Sequence, residues 1–339
     1  MTARIVCFGE LLLRLGAPGR QQLLQSPTLE VHVGGAEANV AVALARFGHD
    51  ARMLGVTADN ALGEAALGEL RRHGVDVAQV RRAAGRMGLY FLTQGALHRP
   101  SEVLYDRAGS AFAQQVGALD DWPSLLRGAD WLHLSGITPA LGAEAAQAAL
   151  AAVRAARETG TRVSFDGNYR PALWAGHADT AAPLLRELIG HAELLFASDR
   201  DMEVVLGGRY RHADARERFA AAAADAFAAF PRLRRMAATV RTSHSVDRND
   251  LGAISAQSDG SVASADDIAL PAIVDRIGTG DAFAAGVLHG ELLGWSATQG
   301  LRFGLAAACL KHSMPGDFAH LSVRQVQALV DDEGWDVRR

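Results

Sequence analysis

The chain has 339 residues, of which 49% are hydrophobic and 21% charged, and a formal net charge of −4. This is enough chain to bury a sizeable core, and the balance of charge excludes a field that would draw in nucleic acid or anionic membrane overall. Cys7 and Cys309 lie far apart without metal-ligand spacing, which excludes a disulfide framework or a zinc site. No convincing cleavage site follows the first 16 residues and no apolar run reaches the length of a membrane span, so a soluble, cytoplasmic protein is expected. Residues 4–10 read as a short buried strand ending at Gly9, without the Gly-x-Gly-x-x-Gly of a dinucleotide fold. Residues 11–34 mix strand-like pieces with Gly16, Pro18 and Gly19, an excursion before the main pattern resumes. Gly34 and Gly35 then lead through Asn39 into a helix over residues 40–47, closed by Gly48. The glycine pair allows close approach to the backbone, with Asn39 pointing a donor and an acceptor the same way; a tight turn capped by Asn39 explains the same residues.

A strand over 51–56 and a helix over 62–73 continue an alternation that predicts a mainly parallel, helix-covered sheet. The pattern breaks between residues 86 and 112, where segments 87–93 and 102–107 form a candidate antiparallel hairpin carrying Tyr90, Tyr105 and Arg107. Arg107 beside Asp106 fits a cleft or a solvated sheet edge equally well. Alternation resumes with a strand at 130–135, an alanine-rich helix at 143–158 and a strand at 162–166. The next loop, Gly167-Asn168-Tyr169-Arg170-Pro171, lies beyond the carboxyl end of that strand, where open α/β sheets bind their ligands; a structural Asp-Gly-Asn turn is the competing reading. A strand at 193–197 runs into a helix opened by Ser198, with Asp201 three residues on as in a capping box. Helix 213–230 follows, then strands at 235–240 and 251–256 flanking a polar loop at 241–250.

Asp275-Arg276-Ile277-Gly278-Thr279-Gly280-Asp281 stands where a loop turns into a helix. The free N–H groups of a helix start suit phosphate, and glycines let a ligand come close. A carboxylate there can take a proton from a nucleophile attacking that phosphate, making Asp281 a candidate base; an Asp N-cap accounts for the same residue. The helix is expected to bury Phe283, Val287 and Leu292 on one face, with Ala282, Ala285 and Gly286 permitting close packing. Helices at 297–311 and from about 322 complete the chain.

Taken together these motifs resemble the ribokinase-like (phosphofructokinase B) sugar kinases across nearly the whole chain. Gly34-Gly35-x-x-x-Asn39 is similar to the family's N-terminal signature, and residues 275–281 are similar to its C-terminal one. The resemblance implies an α/β fold of three α/β/α layers with a mostly parallel central sheet and a small β-sheet lid. It also implies one kinase domain over residues 1–339, with lid insertions at about 11–34 and 86–112. Segments 86–90, 105–110, 134–138, 166–171 and 312–317 look most like those of 2-keto-3-deoxygluconate kinases. By that likeness Asp281 is the base, Gly278, Thr279 and Gly280 form an anion hole, and the sugar acid is met by Gly35, Asn39, Tyr90, Tyr105, Arg107 and Arg170. Two arginines suit a carboxylate because the guanidinium fork binds it with charge-assisted hydrogen bonds. Nucleotide contacts fall to Asn168, Ser198, Thr239, Arg241, Gly278 and Gly280. ATP and Mg²⁺ are the implied cofactors, with no protein ligand for the metal assigned, and a homodimer or higher homo-oligomer is the implied assembly.

Two departures stand out. The family usually carries an asparagine and a glutamate where this chain has Ser198 and Asp201, and residues 239–249 replace a glycine-rich nucleotide turn. The alternatives are a kinase of the same fold for 2-keto-3-deoxygalactonate or a ketohexose, and a non-catalytic sugar-acid sensor. A nicotinamide-dependent oxidoreductase is disfavoured by the missing fingerprint.

Overall fold

In the computed structural model, which describes residues 3–332, strand β1 (Arg4–Phe8) sends Ile5 and Cys7 into one apolar core and Val6 and Phe8 into another. Side chains alternate across a strand, so a segment apolar at every position must be covered on both faces. After β1 the chain leaves the main sheet for β2 (Leu12–Gly16) and β3 (Glu30–Gly34), then returns through β4 (Asp50–Ala58) and β5 (Val80–Ala83). A second departure forms β6 (Gly88–Thr93) and β7 (Glu102–Asp106). The remaining strands are β8 (Trp131–Ser135), β9 (Arg162–Asp166), β10 (Leu194–Phe196), β11 (Arg235–Ser243), β12 (Asn249–Gln257) and β13 (Val262–Leu270).

The main sheet runs in the order β13-β12-β11-β10-β9-β8-β1-β4-β5. It is parallel from β11 to β5 and antiparallel across β11, β12 and β13. Helices Ala36–Arg46, Thr279–Leu292 and Ala297–Lys311 pack into the core that holds Ile5 and Cys7. Helices Ala143–Thr159, Ala178–Ile189 and Ala215–Ala229 pack into the other. The two excursions meet in a second sheet, β3-β2-β6-β7, whose buried apolar cluster is only Leu12, Tyr90 and Leu92.

Four expectations change. Helix Thr279–Leu292 is buried around its circumference, at Thr279 and from Ala282 to Gly290, and Leu292 is only half-buried. Helix Ala36–Arg46 and helix Ala297–Lys311 flank it, Phe283 meets Phe196 of β10, and a Cβ on Gly286 would overlap the Gly304 backbone. The polar loop at 241–250 shrinks to a turn: β11 continues to Ser243, β12 starts at Asn249, and the N–H groups of His244 and Ser245 donate to the Arg248 carbonyl (3.0 Å each). Helix Ala178–Ile189 carries Pro183 inside it although Ala181, Leu185, Leu188 and Ile189 recur at helical spacing, and β13 is an outer strand with Asp266 and Asp267 exposed; neither element is among those expected from the sequence. Asn39 lies inside helix Ala36–Arg46, whose N-cap is Gly35, and Asp281 is the third residue of a helix whose N-cap is Gly278. Neither side chain caps its helix.

Candidate active site

The carboxyl ends of the central strands and the second sheet bound a cleft of about 970 Å³. Every candidate named from the sequence lies on its wall. Gly35, Asn39, Tyr90, Tyr105, Arg107 and Arg170 do so, as do Asn168, Ser198, Thr239, Arg241 and residues 278–281. Residues up to 246 positions apart in the chain thus share one cavity of a size that suits small-molecule ligands.

The floor is the start of helix Thr279–Leu292. Gly278 holds φ at 76°, and a Cβ there would overlap the Asp317 carbonyl oxygen, so both its conformation and its neighbour demand glycine. The first intrahelical bond runs from Ala282 N–H to the Gly278 carbonyl (2.9 Å), which leaves the N–H groups of Thr279, Gly280 and Asp281 without a helical partner. The Thr279 hydroxyl is turned away, donating to the Arg276 carbonyl (3.0 Å). Thr279 therefore offers its backbone, not its side chain, to an anion.

Asp281 is held by Asn39, whose Nδ2 donates to Oδ2 at 2.6 Å. The orientation of that amide follows because a carboxylate only accepts. It leaves Asn39 Oδ1 buried without a partner, an acceptor for a ligand hydroxyl on the cleft wall. Burial pushes the Asp281 carboxyl up to about 7; the Asn39 bond pulls it down, the Glu37 charge pushes it up, and the Arg170 charge pulls it down. Asp166, at the end of β9, is raised well above its ordinary range by burial and then by the charges of Asp281 and Asp201. A base needs a pKa near the operating pH and reach to the proton it takes, and Asp281 has the first of these and faces the cleft beside the anion hole.

The lid wall is built of ion pairs that the sequence did not reveal. Arg14 on β2 places Nη2 2.8 Å from Asp275 Oδ2 and Nε 3.2 Å from Asp317 Oδ1, with all three side chains nearly sealed from solvent. Tyr90 donates its hydroxyl to Asp317 Oδ2 (2.6 Å), and Asp275 also accepts from the N–H groups of Ile277 and Gly316 (2.9 and 3.0 Å). Lys311, the only lysine in the chain, is fully buried and donates to the carbonyls of Met314 and Gly316 (3.0 and 2.9 Å), which fixes the loop carrying Asp317. The uniqueness of that lysine was a compositional signal. Arg14, one cation inside the run Leu11-Leu12-Leu13-Arg14-Leu15, was a patterning signal. Arg107 is buried, not at a solvated edge: its Nε donates to Glu10 Oε2 (2.7 Å), which leaves its terminal N–H groups without a protein partner among the described residues. Glu10 and Glu37 were also missed. Glu37 accepts from the Ser135 N–H and hydroxyl (3.0 and 2.6 Å) beneath the glycine pair.

At the far wall, Ser198 and Asp201 form a reciprocal capping box, and Asp201 also accepts from the Tyr169 N–H (3.3 Å). Their polar atoms are committed to one another, so this pair shapes the loop around Asn168. Among the described residues no group of three or more His, Cys, Asp or Glu side chains is arranged to hold a metal ion. A magnesium ion carried by ligand phosphates would fit such a cleft.

The whole-chain comparisons agree with this geometry. A protein of Haloferax volcanii named 2-dehydro-3-deoxygalactonokinase is 32% identical over 99% of this chain and 100% of its own length. A Bacillus subtilis protein named 2-dehydro-3-deoxygluconokinase is 29% identical over 94% of this chain and 93% of its own. The crystal structure of a 2-dehydro-3-deoxygluconokinase from Thermotoga maritima superposes with a TM-score of 0.92 at 37% identity, covering 97% of this chain and 99% of that one. A putative ribokinase II from E. coli, at 16% identity and a TM-score of 0.79, shares the fold. Residues 2–321 match the description pfkB family carbohydrate kinase. With a ribokinase-like three-layer fold matched along nearly its whole length, the chain belongs to the pfkB family of carbohydrate kinases and is a phosphotransferase with an alcohol group as acceptor.

Proposed function

We propose that this kinase transfers the terminal phosphoryl group of ATP to the C6 hydroxyl of 2-keto-3-deoxygluconate, giving 2-keto-3-deoxy-6-phosphogluconate and ADP. The observation that carries the reading is the pair of guanidiniums on the cleft wall. Arg107 is oriented by Glu10 with its terminal N–H groups unspent, and Arg170 lies close enough to Asp166 and Asp281 to lower both. Arg107 is paired with Glu10 but keeps its terminal N–H groups free, and Arg170 has no ion pair among the described residues; a sugar acid brings a carboxylate that can accept from such guanidiniums, whereas a neutral ketohexose brings none.

In the reaction the O6 oxygen attacks the γ-phosphorus, the bond from that phosphorus to the β,γ-bridging oxygen breaks, and the O6 proton passes to Asp281. Asn39 holds the Asp281 carboxylate toward the cleft. The unpartnered N–H groups of Thr279, Gly280 and Asp281 stabilise the charge on the transferred group, and positioning supplies most of the remaining effect. Magnesium supplies charge neutralisation when it arrives on the nucleotide phosphates.

A second reading, 2-keto-3-deoxygalactonate, is favoured by the Haloferax volcanii relative. It differs in configuration at C4. A coupled assay for ADP release across both epimers and a neutral ketohexose tests these readings. Turnover of the ketohexose equal to that of the acids overturns the sugar-acid proposal, and a preference for the galactonate epimer selects the second reading. The strands β3 and β7, at opposite edges of the second sheet, expose Val31 and, on β7, Val103 and Leu104, and a homodimer through this sheet is part of the same proposal, checked by sedimentation at micromolar concentration.

A further inference from the structure

Beyond Arg107 and Arg170, the cleft wall carries Arg200, exposed at the start of helix Asp199–Leu206, and two further cations. Arg241 on β11 and Arg276 in the turn before Gly278 both line the cavity, and among the described residues neither forms an ion pair or a side-chain hydrogen bond. Other guanidiniums that the fold encloses are matched. Arg14 has Asp275 and Asp317, Arg107 has Glu10, and Arg235 has Glu291 at 2.6 Å with Ser255 Oγ at 2.8 Å and the Ala297 carbonyl at 2.9 Å. Alternation along β11 places Thr239 and Arg241 on the same face as Ala237, the face that packs into the core with helix Thr279–Leu292. Asp275 turns inward to Arg14, while Arg276 lines the cleft.

We infer that Arg241 and Arg276 form a two-guanidinium clamp for the phosphate chain of the phosphoryl donor, continuing the anion hole at residues 278–281 away from the sugar. The clamp rests on the reading of this cleft as a kinase site with a nucleoside triphosphate donor. Two like charges in one concavity repel each other and lose hydration together. Arg241 is exposed toward the cleft mouth and Arg276 half-buried, and the surrounding protein and then the Arg276 charge lower Arg241 to about 10. A folded chain that holds such a pair without a carboxylate has an anion as the missing partner, and the guanidinium fork matches phosphate oxygens two at a time. A phosphate chain carries several charges in a row, which is what two arginines beside an anion hole can bracket. Departure of the family's glycine-rich turn from residues 239–249 removes backbone donors there, and a charged side chain on the longer β11 takes over their work.

The test is calorimetric titration of the full-length protein with ADP, tripolyphosphate and adenosine, without sugar. Arg276→Gln and Arg241→Gln are each expected to weaken ADP about tenfold, equivalent to about 1.4 kcal/mol, and to leave adenosine unchanged. Tripolyphosphate weakened in parallel assigns the clamp to the phosphate chain alone, whereas ADP weakened with no tripolyphosphate binding by the parent assigns it to phosphates anchored through a nucleoside. The ligand-free melting temperature should hold or rise, because a like-charge repulsion is removed. A fall of several degrees with ADP affinity kept within twofold marks the arginines as structural and overturns the clamp. Arg276→Lys, which keeps charge and loses the fork, should also weaken ADP and serves if the glutamine variant fails to fold. A parent that binds no ADP overturns both the clamp and the nucleotide donor; a parent that binds ADP as tightly as both variants overturns the clamp alone.

Discussion

The floor of the cleft and the lid that faces it are held by opposite means. The floor is a helix start whose body, Ala282 to Gly290, is buried all round and locked by glycine-to-glycine contact with the next helix. The lid strands bury Leu12, Tyr90 and Leu92 in a small cluster of their own and Leu13 in the main core, and they are joined to the floor chiefly through Arg14, Asp275, Asp317 and Tyr90. Apolar packing is non-directional and hard to undo locally, so the floor holds Asp281 and the backbone N–H groups of residues 279–281 in place. Buried ion pairs are directional and contribute little net stability, but breaking one is costly. The lid is therefore tied in one geometry by a few bonds, the arrangement expected of an element that must close over a substrate to exclude water and then release the product.

The sharpest way to break the comparison is at the base. Asp281→Asn should lower kcat by about two to four orders of magnitude while the fold and sugar binding persist; near-normal turnover in a coupled assay removes Asp281 from the chemistry. The same variant tests the floor's rigidity. A carboxyl raised to about 7 by burial contributes stability that is full below the ordinary carboxylate range and lost as pH rises through about 7. Asp281→Asn should accordingly melt roughly a few degrees above the parent at pH 8 and converge with it only below about pH 4, where the carboxyl is protonated folded and unfolded alike. The lid is tested by Arg14→Met, which leaves Asp275 and Asp317 facing each other without a cation. A loss of about 3–5 kcal/mol in denaturant unfolding is expected, and a loss under 1 kcal/mol would mean that the lid is held by something else.

Smaller effects sharpen the picture. The acid limb of kcat/KM should rise with pH to a break near 7, the pH at which Asp281 loses its proton. In Asn39→Ala that break should move upward, since the Asn39 bond lowers the carboxyl. An unmoved limb would assign the titration to another group. The smallest change is Tyr90→Phe, which deletes one hydroxyl bond to Asp317 at 2.6 Å. About 1–2 kcal/mol of stability should go, with kcat changed less than in any Asp281 variant.

What the sequence by itself determined was local. Alternation in segments such as Ile5-Val6-Cys7-Phe8 specified strands, and glycines around Thr279 and before Asn39 marked where a ligand can approach the backbone, because both signals depend on neighbours a few residues apart. Strand β13 and helix Ala178–Ile189 escaped because exposed aspartates and an internal proline mask the same signals. The tertiary structure alone decided that Asn39 orients Asp281 across 242 positions, that Arg14 joins Asp275 across 261, and that Arg107 is aimed by Glu10 across 97. Whether a charged side chain is solvated or sealed against a partner depends on what the fold brings beside it, and no local pattern carries that.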